Sequence, residues 1–306
     1  MIAVLPWAAA PLALGLSACA HEAYQTATRR RFPPDGIFLN ARGVHLHVLR
    51  RGSGPAVVLI HGASASHHDF DAELMADLAR DHDVFALDRP GHGHSGRPAG
   101  TLDLAANAAA VIGLLEAAHA GPAVLVGHSY GALVALRAAL DAPKRVRGVV
   151  AVAPAFVIDA RNRRWSQLSR VRPLAWVGVW TLPLLLRATL ATRVRRDAWH
   201  PAVPPQAWSA SRAFPFTPAQ MLATSDNMRH LPADIARLHA DLPGLRAPLT
   251  ILAAAEDRIT PWRHHAGAMH EAVAGSRLVV VQGTGHWLFR QRPELVAAEA
   301  RAIAQR

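Results

Sequence analysis

The chain has 306 residues, of which 51% are hydrophobic, so it is long enough to bury the core of one large domain or of one domain with an insertion. Its formal net charge of +11 is almost all arginine, and Lys144 is the only lysine, a usage that indicates a high-GC coding bias. Because no arginine run is interleaved with aromatic residues, the charge does not favour nucleic acid as a partner.

The N-terminal stretch is apolar and uncharged up to the letters LSA, which are followed by Cys19, the only cysteine in the chain. A short apolar segment that ends in small residues is typical of a signal peptidase substrate. With a cysteine at the cleavage point, the segment resembles a bacterial lipoprotein signal. The resemblance implies that the Cys19 thiol is acylated and that the lipid anchors the protein at a membrane of the bacterial cell envelope.

We therefore expect residues 1–19 to be a signal peptide with its lipobox, and residues 20–34 to be a polar tether that ends in two prolines. The first 18 residues contain no lysine or arginine, although such signals normally begin with positive charge. An uncleaved apolar anchor and a misassigned start codon therefore remain alternatives.

From Gly36 onward, short apolar runs alternate with helical patterns. The run at 44–54 alternates apolar and polar residues, which predicts a half-exposed antiparallel strand. Six further runs are almost continuously apolar, as in strands that are buried on both faces. They begin at residues 55, 83, 123, 146, 248 and 277. Helical patterns between several of these runs predict βαβ crossovers and an α/β fold with a mostly parallel sheet.

The alternation is interrupted between residues 157 and 245, which contain no strand-like run but five of the eight tryptophans. We interpret residues 157–245 as a helical cap that is inserted after the strand ending near 155. The core then comprises residues 35–156 and 246–306.

An apolar segment in the cap is too short to span a bilayer and is followed by an arginine cluster. A cap helix with a solvated basic end explains this pattern, and a lid that lies on an anionic membrane is the alternative. Three tryptophans are candidates for lining an apolar acyl pocket, although core packing would explain them equally well. They are Trp176, Trp180 and Trp287.

Ser129 is the candidate nucleophile. It stands where an apolar, β-branched run passes into a helical pattern, with Gly127 and Gly131 two residues away on either side. A serine hydroxyl needs a base to take its proton and must stand clear of the backbone. A sharp strand-to-helix turn exposes the hydroxyl but brings the strand and the helix close together, so the flanking positions must lack side chains.

The base and the acid should come from later strand ends, because the carboxyl ends of parallel strands meet at one rim of the sheet. His286 directly follows the last predicted strand, after two nearby glycines. Asp257 follows the preceding strand and is best placed to orient the imidazole, with its neighbour Glu256 as the alternative.

Two backbone N–H groups are candidates for the oxyanion hole. One belongs to Tyr130, the residue after the serine. The second should come from the loop HGASAS, where we favour Ala63 over Ser64. His61 in the same loop is interpreted as a buried histidine that braces the loop.

Together, the segments HGASAS, DRPGHGHSGRP, GHSYG, AAAEDRITP and GTGHW resemble the α/β-hydrolase family in content, order and spacing. The resemblance implies a nucleophile, an acid, a base and two oxyanion-hole residues at positions that agree with those argued above. They are Ser129, Asp257, His286, Ala63 and Tyr130.

The same resemblance implies that Asp88, Arg89 and Gly91 form a structural turn near the site. Family members that cleave epoxides or carbon–halogen bonds use an aspartate nucleophile, so the serine at 129 argues against both chemistries.

We therefore expect hydrolysis of a small-molecule carboxylic ester, with an apolar acyl group, through an acyl-enzyme intermediate and a Ser-His-Asp triad. Neither a cofactor nor a metal is expected, because the HLH and HGH motifs at 45–47 and 92–94 lack further ligands at metal-site spacing. The alternatives are cleavage of a carbon–carbon or amide bond, or a non-catalytic binding lipoprotein at the envelope.

Overall fold

A computed structural model describes residues 5–70, 72–170, 197 and 214–306. The strands of these regions belong to one sheet of eight. They are β1 (Ile37–Ala41), β2 (Val44–Gly52), β3 (Ala56–Ile60), β4 (Asp83–Leu87), β5 (Ala123–His128), β6 (Val146–Val152), β7 (Leu249–Ala254) and β8 (Arg277–Val281).

The strands lie in the order β1-β2-β4-β3-β5-β6-β7-β8. The strand β2 pairs antiparallel with both β1 and β4, whereas all pairs from β4 to β8 are parallel. The mostly parallel α/β sheet is thus confirmed, and the antiparallel strand predicted at 44–54 is confirmed as β2, which ends at Gly52. The order reverses at β3, because β4 lies on one side of it and β5 on the other, and this reversal opens a crevice at the carboxyl ends of β3 and β5.

Helices cover both faces of the sheet. They are α1 (Leu5–Arg31), α2 (Ala72–Leu78), α3 (Leu104–Ala117), α4 (Tyr130–Asp141), α5 (Ala160–Arg170), α6 (Pro218–Asp241), α7 (Ala268–Ala272), α8 (Leu288–Gln291) and α9 (Pro293–Ala304). Short 3-10 turns occur at His67–Asp69, Phe214–Phe216 and Leu242–Gly244, and a π-helical turn occurs at Arg263–Gly267.

The buried core forms two layers, one on each face of the sheet. On β3, Val58 and Ile60 face the layer that holds α3, α4 and α6, whereas Val57 and Leu59 face the layer that holds α2 and α9. The strand β8 is less buried than its apolar sequence predicts: it lies at the edge of the sheet, and Val281 is its only buried residue.

Within the predicted cap, most of the described residues are helical, and none of the described residues lies in a strand. The helix α6 packs against α3, α4 and α5, so this part of the cap is joined to the core. Trp176, Trp180 and the arginines after the apolar segment lie outside the described residues. The cap boundaries at 157 and 245 stay a prediction.

Residues 20–31, for which we predicted a tether, continue the helix α1 and pack against the globular part. His21 and Thr28 are buried, and the Gln25 side chain accepts the backbone N–H of Ala219 at 3.2 Å. The stretch between Gly15 and Pro33 contains neither glycine nor proline, so nothing in it interrupts the helix. None of the helices in the described part of the chain is both long enough and apolar enough to cross a membrane.

One buried carboxyl joins α6 to α3 and predicts a pH-dependent stability. Asp234 accepts the N–H of Leu104 at 3.0 Å, and burial raises its pKa to about 6. A raised carboxyl pKa contributes stability that is present below the unfolded pKa of about 4 and is lost as the pH rises to about 6.

We therefore expect Asp234→Asn to raise the free energy of unfolding at pH 8 by about 1–3 kcal/mol, because the amide keeps an acceptor for Leu104 and carries no charge. At pH 4 the variant and the wild type should be about equally stable. Urea unfolding at the two pH values measures this, with Glu271→Gln, which removes an exposed carboxylate on α7, as control. An Asp234→Asn variant that is less stable than wild type at pH 8 would contradict the argument.

Candidate active site

Ser129 occupies a strained turn between β5 and α4. Its backbone angles are φ 53° and ψ −115°, which lie outside the regions that are favourable for a residue with a side chain. The turn is fixed from the neighbouring strand, because the Ser129 N–H donates to the carbonyl of Val152 at 2.9 Å. The strain is of the kind that lifts a nucleophile above the end of a sheet.

The two glycines around the serine are required by close packing. A Cβ at Gly127 would lie 2.3 Å from the carbonyl oxygen of Gly131, and a Cβ at Gly131 would lie 2.2 Å from that of Ile60. Both contacts are with backbone atoms, which cannot move aside as a flexible side chain would. The turn can therefore form only because both positions lack side chains.

His286 and Asp257 meet at the same rim of the sheet, although they are far apart along the chain. The Nδ1 of His286 lies 2.8 Å from Oδ2 of Asp257, and both residues are only about 5% exposed. The carboxylate is also held by Thr260, which donates its N–H to Oδ1 and its hydroxyl to Oδ2, each at 2.8 Å. This network assigns the proton of the imidazole to Nδ1 and leaves Nε2 as an acceptor.

The environment keeps Asp257 ionised. Burial by itself raises the pKa of this carboxyl, but the neighbouring His286 and the hydrogen bonds from His286 and Thr260 outweigh burial and hold the pKa below its ordinary value. An ionised carboxylate at this position would stabilise an imidazolium on His286.

Glu256, the alternative acid, has a different position. Its carboxylate accepts the backbone N–H groups of Gly283 at 3.1 Å and Thr284 at 2.9 Å. It therefore braces the loop that carries His286, whereas Asp257 contacts the imidazole itself.

His128 links the loop of His286 to the turn of Ser129, a contact that no sequence motif indicated. It precedes Ser129, and its Nε2 donates to the backbone carbonyl of His286 at 3.0 Å. The two imidazole rings are 4.7 Å apart, centroid to centroid. Burial and the adjacent His286 lower the pKa of His128 well below its usual value, so its ring is neutral.

Within the described residues, the Ser129 hydroxyl makes no hydrogen bond. His128, which precedes Ser129 in the sequence, nevertheless donates a hydrogen bond to the backbone carbonyl of His286. The structure thus places Ser129, Asp257 and His286 at the carboxyl ends of β5, β7 and β8, with Asp257 in contact with His286 and with His128 joining the loop of His286 to the turn of Ser129.

The predicted oxyanion donors lie on both sides of the crevice. Tyr130 begins α4, so its N–H has no partner inside the helix, and Ala63 follows β3 in the loop at 61–66. Neither N–H donates to an acceptor in the described part of the chain. Ser64, the alternative, has a φ of 53°, and its hydroxyl donates to Thr224 of α6 at 3.2 Å.

The Arg89 side chain fixes the backbone of the loop at 61–66. It is fully buried, and its guanidinium donates to the carbonyls of His61 at 3.1 Å and Gly62 at 2.9 Å. The same side chain donates to Asn107 and Asn227, at 2.7 and 3.0 Å. Burial lowers its pKa to about 10, so the group still carries its charge near neutral pH.

Arg89 therefore connects the loop at 61–66, which contains Ala63, to the helices α3 and α6. The sequence signal for it was the turn DRPG, to which we assigned a structural role. Nothing local in the sequence indicated that Asn227, 138 residues further along the chain, completes the network.

His61 braces the loop as expected. Its Nδ1 donates to the carbonyl of Gly62 at 2.9 Å, and its Nε2 accepts the N–H of Arg89 at 2.9 Å. Burial, and secondarily the charge on Arg89, lower its pKa well below the usual value, so the ring is neutral. Trp287 lies directly after His286 and is half-buried.

A second polar cluster forms around Asp88 at the end of β4. Its Oδ1 accepts the Nδ1 of His67 at 2.9 Å, and its Oδ2 accepts the Nδ1 of His47 at 3.0 Å and the N–H of His94 at 2.9 Å. Burial alone raises the pKa of Asp88, but the two imidazoles outweigh it and hold the pKa well below its ordinary value. We expected no metal site because of how the histidines of the HLH and HGH motifs are spaced along the chain. That spacing does not show that His47, His67 and His94 converge on Asp88 in the folded protein.

The strained serine turn and the carboxylate–imidazole pair at neighbouring strand ends define the class of hydrolases built on an open parallel sheet. The family model of the alpha/beta hydrolase fold matches residues 55–293, so the chain belongs to the α/β-hydrolase family.

Relatives in this family include several kinds of hydrolase. An epoxide hydrolase from Caballeronia sordidicola is 29% identical over 249 residues, which cover 72% of this chain and 71% of that protein. An esterase structure from Exiguobacterium antarcticum superposes with a TM-score of 0.72 at 20% identity, over 89% of this chain and 100% of that one. A haloalkane dehalogenase from Agrobacterium tumefaciens superposes with a TM-score of 0.70 at 19% identity, over 89% and 97%. The structural similarities show a shared fold.

Proposed function

We propose that the protein is a serine hydrolase that cleaves a carboxylic ester through an acyl-enzyme intermediate. The observation that carries the proposal is the 2.8 Å contact between His286 Nδ1 and the Asp257 carboxylate, next to the strained turn of Ser129. This contact leaves His286 Nε2 as the acceptor for the serine proton. A small-molecule ester with an apolar acyl group is the expected substrate class.

In the first half of the reaction, the Ser129 oxygen attacks the ester carbonyl carbon while its proton passes to His286 Nε2. The negative charge on the carbonyl oxygen is stabilised by the N–H groups of Ala63 and Tyr130. The bond to the alcohol oxygen then breaks, and the proton on Nε2 goes to that oxygen. Asp257 stabilises the imidazolium throughout and does not itself take the proton.

In the second half, a water molecule attacks the acyl-enzyme carbonyl and gives its proton to His286 Nε2. When the second tetrahedral intermediate collapses, the carboxylic acid leaves and the proton returns to Ser129. Protons and electrons balance without a cofactor, so the scheme needs only ester and water.

A fluorophosphonate probe tests the nucleophile directly. We expect the wild type to be labelled at Ser129 and the Ser129→Ala variant to remain unlabelled, as read by peptide mass spectrometry. Absence of labelling in the folded wild type would favour the alternative of a non-catalytic binding protein.

The relative from Caballeronia sordidicola makes epoxide hydrolysis the second function to test. That chemistry in this family depends on an aspartate that forms an ester with the substrate carbon, whereas position 129 is a serine. We therefore expect turnover of p-nitrophenyl esters and none of styrene oxide. A panel that adds an anilide and a vinylogous ring-cleavage diketone separates amide and carbon–carbon hydrolysis, and turnover of these compounds without ester turnover would refute the ester proposal.

We also propose that Cys19 carries a lipid that holds the protein at the cell envelope. The support is the sequence LSA before the cysteine and the position of Cys19, which is exposed on α1. Metabolic labelling with a radioactive fatty acid, followed by cell fractionation, should find label in the membrane fraction for the wild type and none for Cys19→Ala. Equal membrane association of both without label would instead support the uncleaved apolar anchor.

A further inference from the structure

Three ligand-type side chains, one exposed, one half-buried and one buried, meet outside the proposed active site. Asp35, His67 and His68 each present one ligand atom, and these atoms all lie within 4.8 Å of one another. The Nε2 of His67 is 3.0 Å from Oδ1 of Asp35. Ligands of a zinc ion lie about 2.0–2.2 Å from it, which places neighbouring ligand atoms about 3.3 Å apart. The His67–Asp35 pair is therefore already close to that spacing, and the exposed Asp35 side chain has room to adjust.

The buried Asp88 orients His67 for this role. The Nδ1–H and the backbone N–H of His67 both donate to Oδ1 of Asp88, at 2.9 and 2.8 Å. These two hydrogen bonds fix the ring with Nε2 pointing towards Asp35. A carboxylate on the far nitrogen is the usual support of a metal-binding imidazole, since it fixes the tautomer and raises the basicity of the ligand nitrogen.

A second set of candidate ligands, His47, His67 and Asp88, does not compete for the ion. Both ring nitrogens of His47 are engaged, because Nδ1 contacts Asp88 and Nε2 accepts the N–H of Gly36 at 3.0 Å. His47 and Asp88 are fully buried whereas Asp35 is exposed, so an ion would reach His67 from the side of Asp35. Asp88, which His47 also contacts, instead orients the ligand His67 through its Nδ1.

The cluster of Asp35, His67 and His68 opens onto a groove, which leaves a coordination position for water or an anion. The groove has a volume of about 460 Å³, and its other lining residues include Arg51, Leu49 and Phe70. One carboxylate, two imidazoles and an open position form the ligand set of zinc sites that bind an exogenous ligand.

We propose that Asp35, His67 and His68 bind a divalent transition-metal ion of the zinc type. The ion takes the place of the proton between His67 Nε2 and Asp35. It connects the segment after α1 to the turn that follows the oxyanion loop, and it does not take part in ester hydrolysis at Ser129.

The test uses the full-length purified protein, stripped with a chelator and dialysed. Zn²⁺ binding is followed by calorimetry and by thermal unfolding, and Co²⁺ is used as a spectroscopic probe of coordination. We expect one ion per chain, a rise in unfolding temperature with Zn²⁺, and visible Co²⁺ bands typical of low coordination number. Asp35→Ala and His68→Ala should each weaken binding by about tenfold or more, whereas His270→Ala, which removes an exposed histidine elsewhere, should bind like wild type.

Binding that is absent in the wild type would overturn the proposal. So would equal binding by wild type, Asp35→Ala and His68→Ala, because the ion would then lie elsewhere. Circular dichroism of each stripped variant checks that it is folded, and Asp35→Asn serves as a milder variant that retains an oxygen ligand without its charge.

Discussion

Replacement of Ser129 by alanine is expected to lower kcat/KM for p-nitrophenyl acetate by about 10⁴-fold or more, because no other group at the turn can form the acyl-enzyme. The loss corresponds to about 5 kcal/mol or more of transition-state stabilisation. Steady-state kinetics with active-site titration of the wild type measures the effect.

The same variant should keep its stability to within about 1 kcal/mol. Alanine retains the Cβ at the strained φ, and in the described residues the serine hydroxyl makes no hydrogen bond that could be lost. Ser276→Ala, in the loop before β8, is the matched control and should retain wild-type kinetics. A Ser129→Ala enzyme that turns over the ester at the wild-type rate would end the assignment, and one that unfolds would show a structural role for the hydroxyl.

Replacement of Asp257 by asparagine is expected to lower kcat by about 10⁴-fold while the protein remains folded. The amide oxygen can still accept the N–H groups of Ile259 and Thr260, which contact Oδ1 in the wild type. The amide nitrogen, however, would face His286 as a donor and favour the wrong imidazole tautomer, and the charge that stabilises the imidazolium is lost.

Glu256→Gln is the control for this experiment, because it changes the neighbouring carboxylate to the same amide. We expect a loss of no more than about tenfold, since the glutamine can still accept one of the two loop N–H groups at residues 283 and 284. Burst kinetics for both variants separates acylation from deacylation. If Glu256→Gln lost as much activity as Asp257→Asn, the choice between the two acids would be reversed.

Local chemistry in the sequence determined the sheet and the strained turn of Ser129. A run of six or seven apolar, largely β-branched residues is enough to predict a buried strand. The alternation of such runs with helical patterns predicts parallel crossovers. The turn of Ser129 is equally local, because the steric demand falls on Gly127 and Gly131, two residues to either side. Short-range rules of this kind can be applied to a sequence without coordinates.

Only the tertiary structure showed that Asp257 contacts the His286 ring while Glu256 accepts the N–H groups of residues 283 and 284, because the side chains of adjacent residues point to different neighbours. The same holds for Arg89 with Asn227 and for the cluster around Asp88, whose members come from separate strands and loops. The helix α1 is a case in which the sequence pattern misled: its polar segment predicted a tether, but the segment packs against α6. Contacts between distant segments depend on how the sheet order reverses at β3 and on which surfaces the helices cover, and neither is encoded in any single stretch of residues.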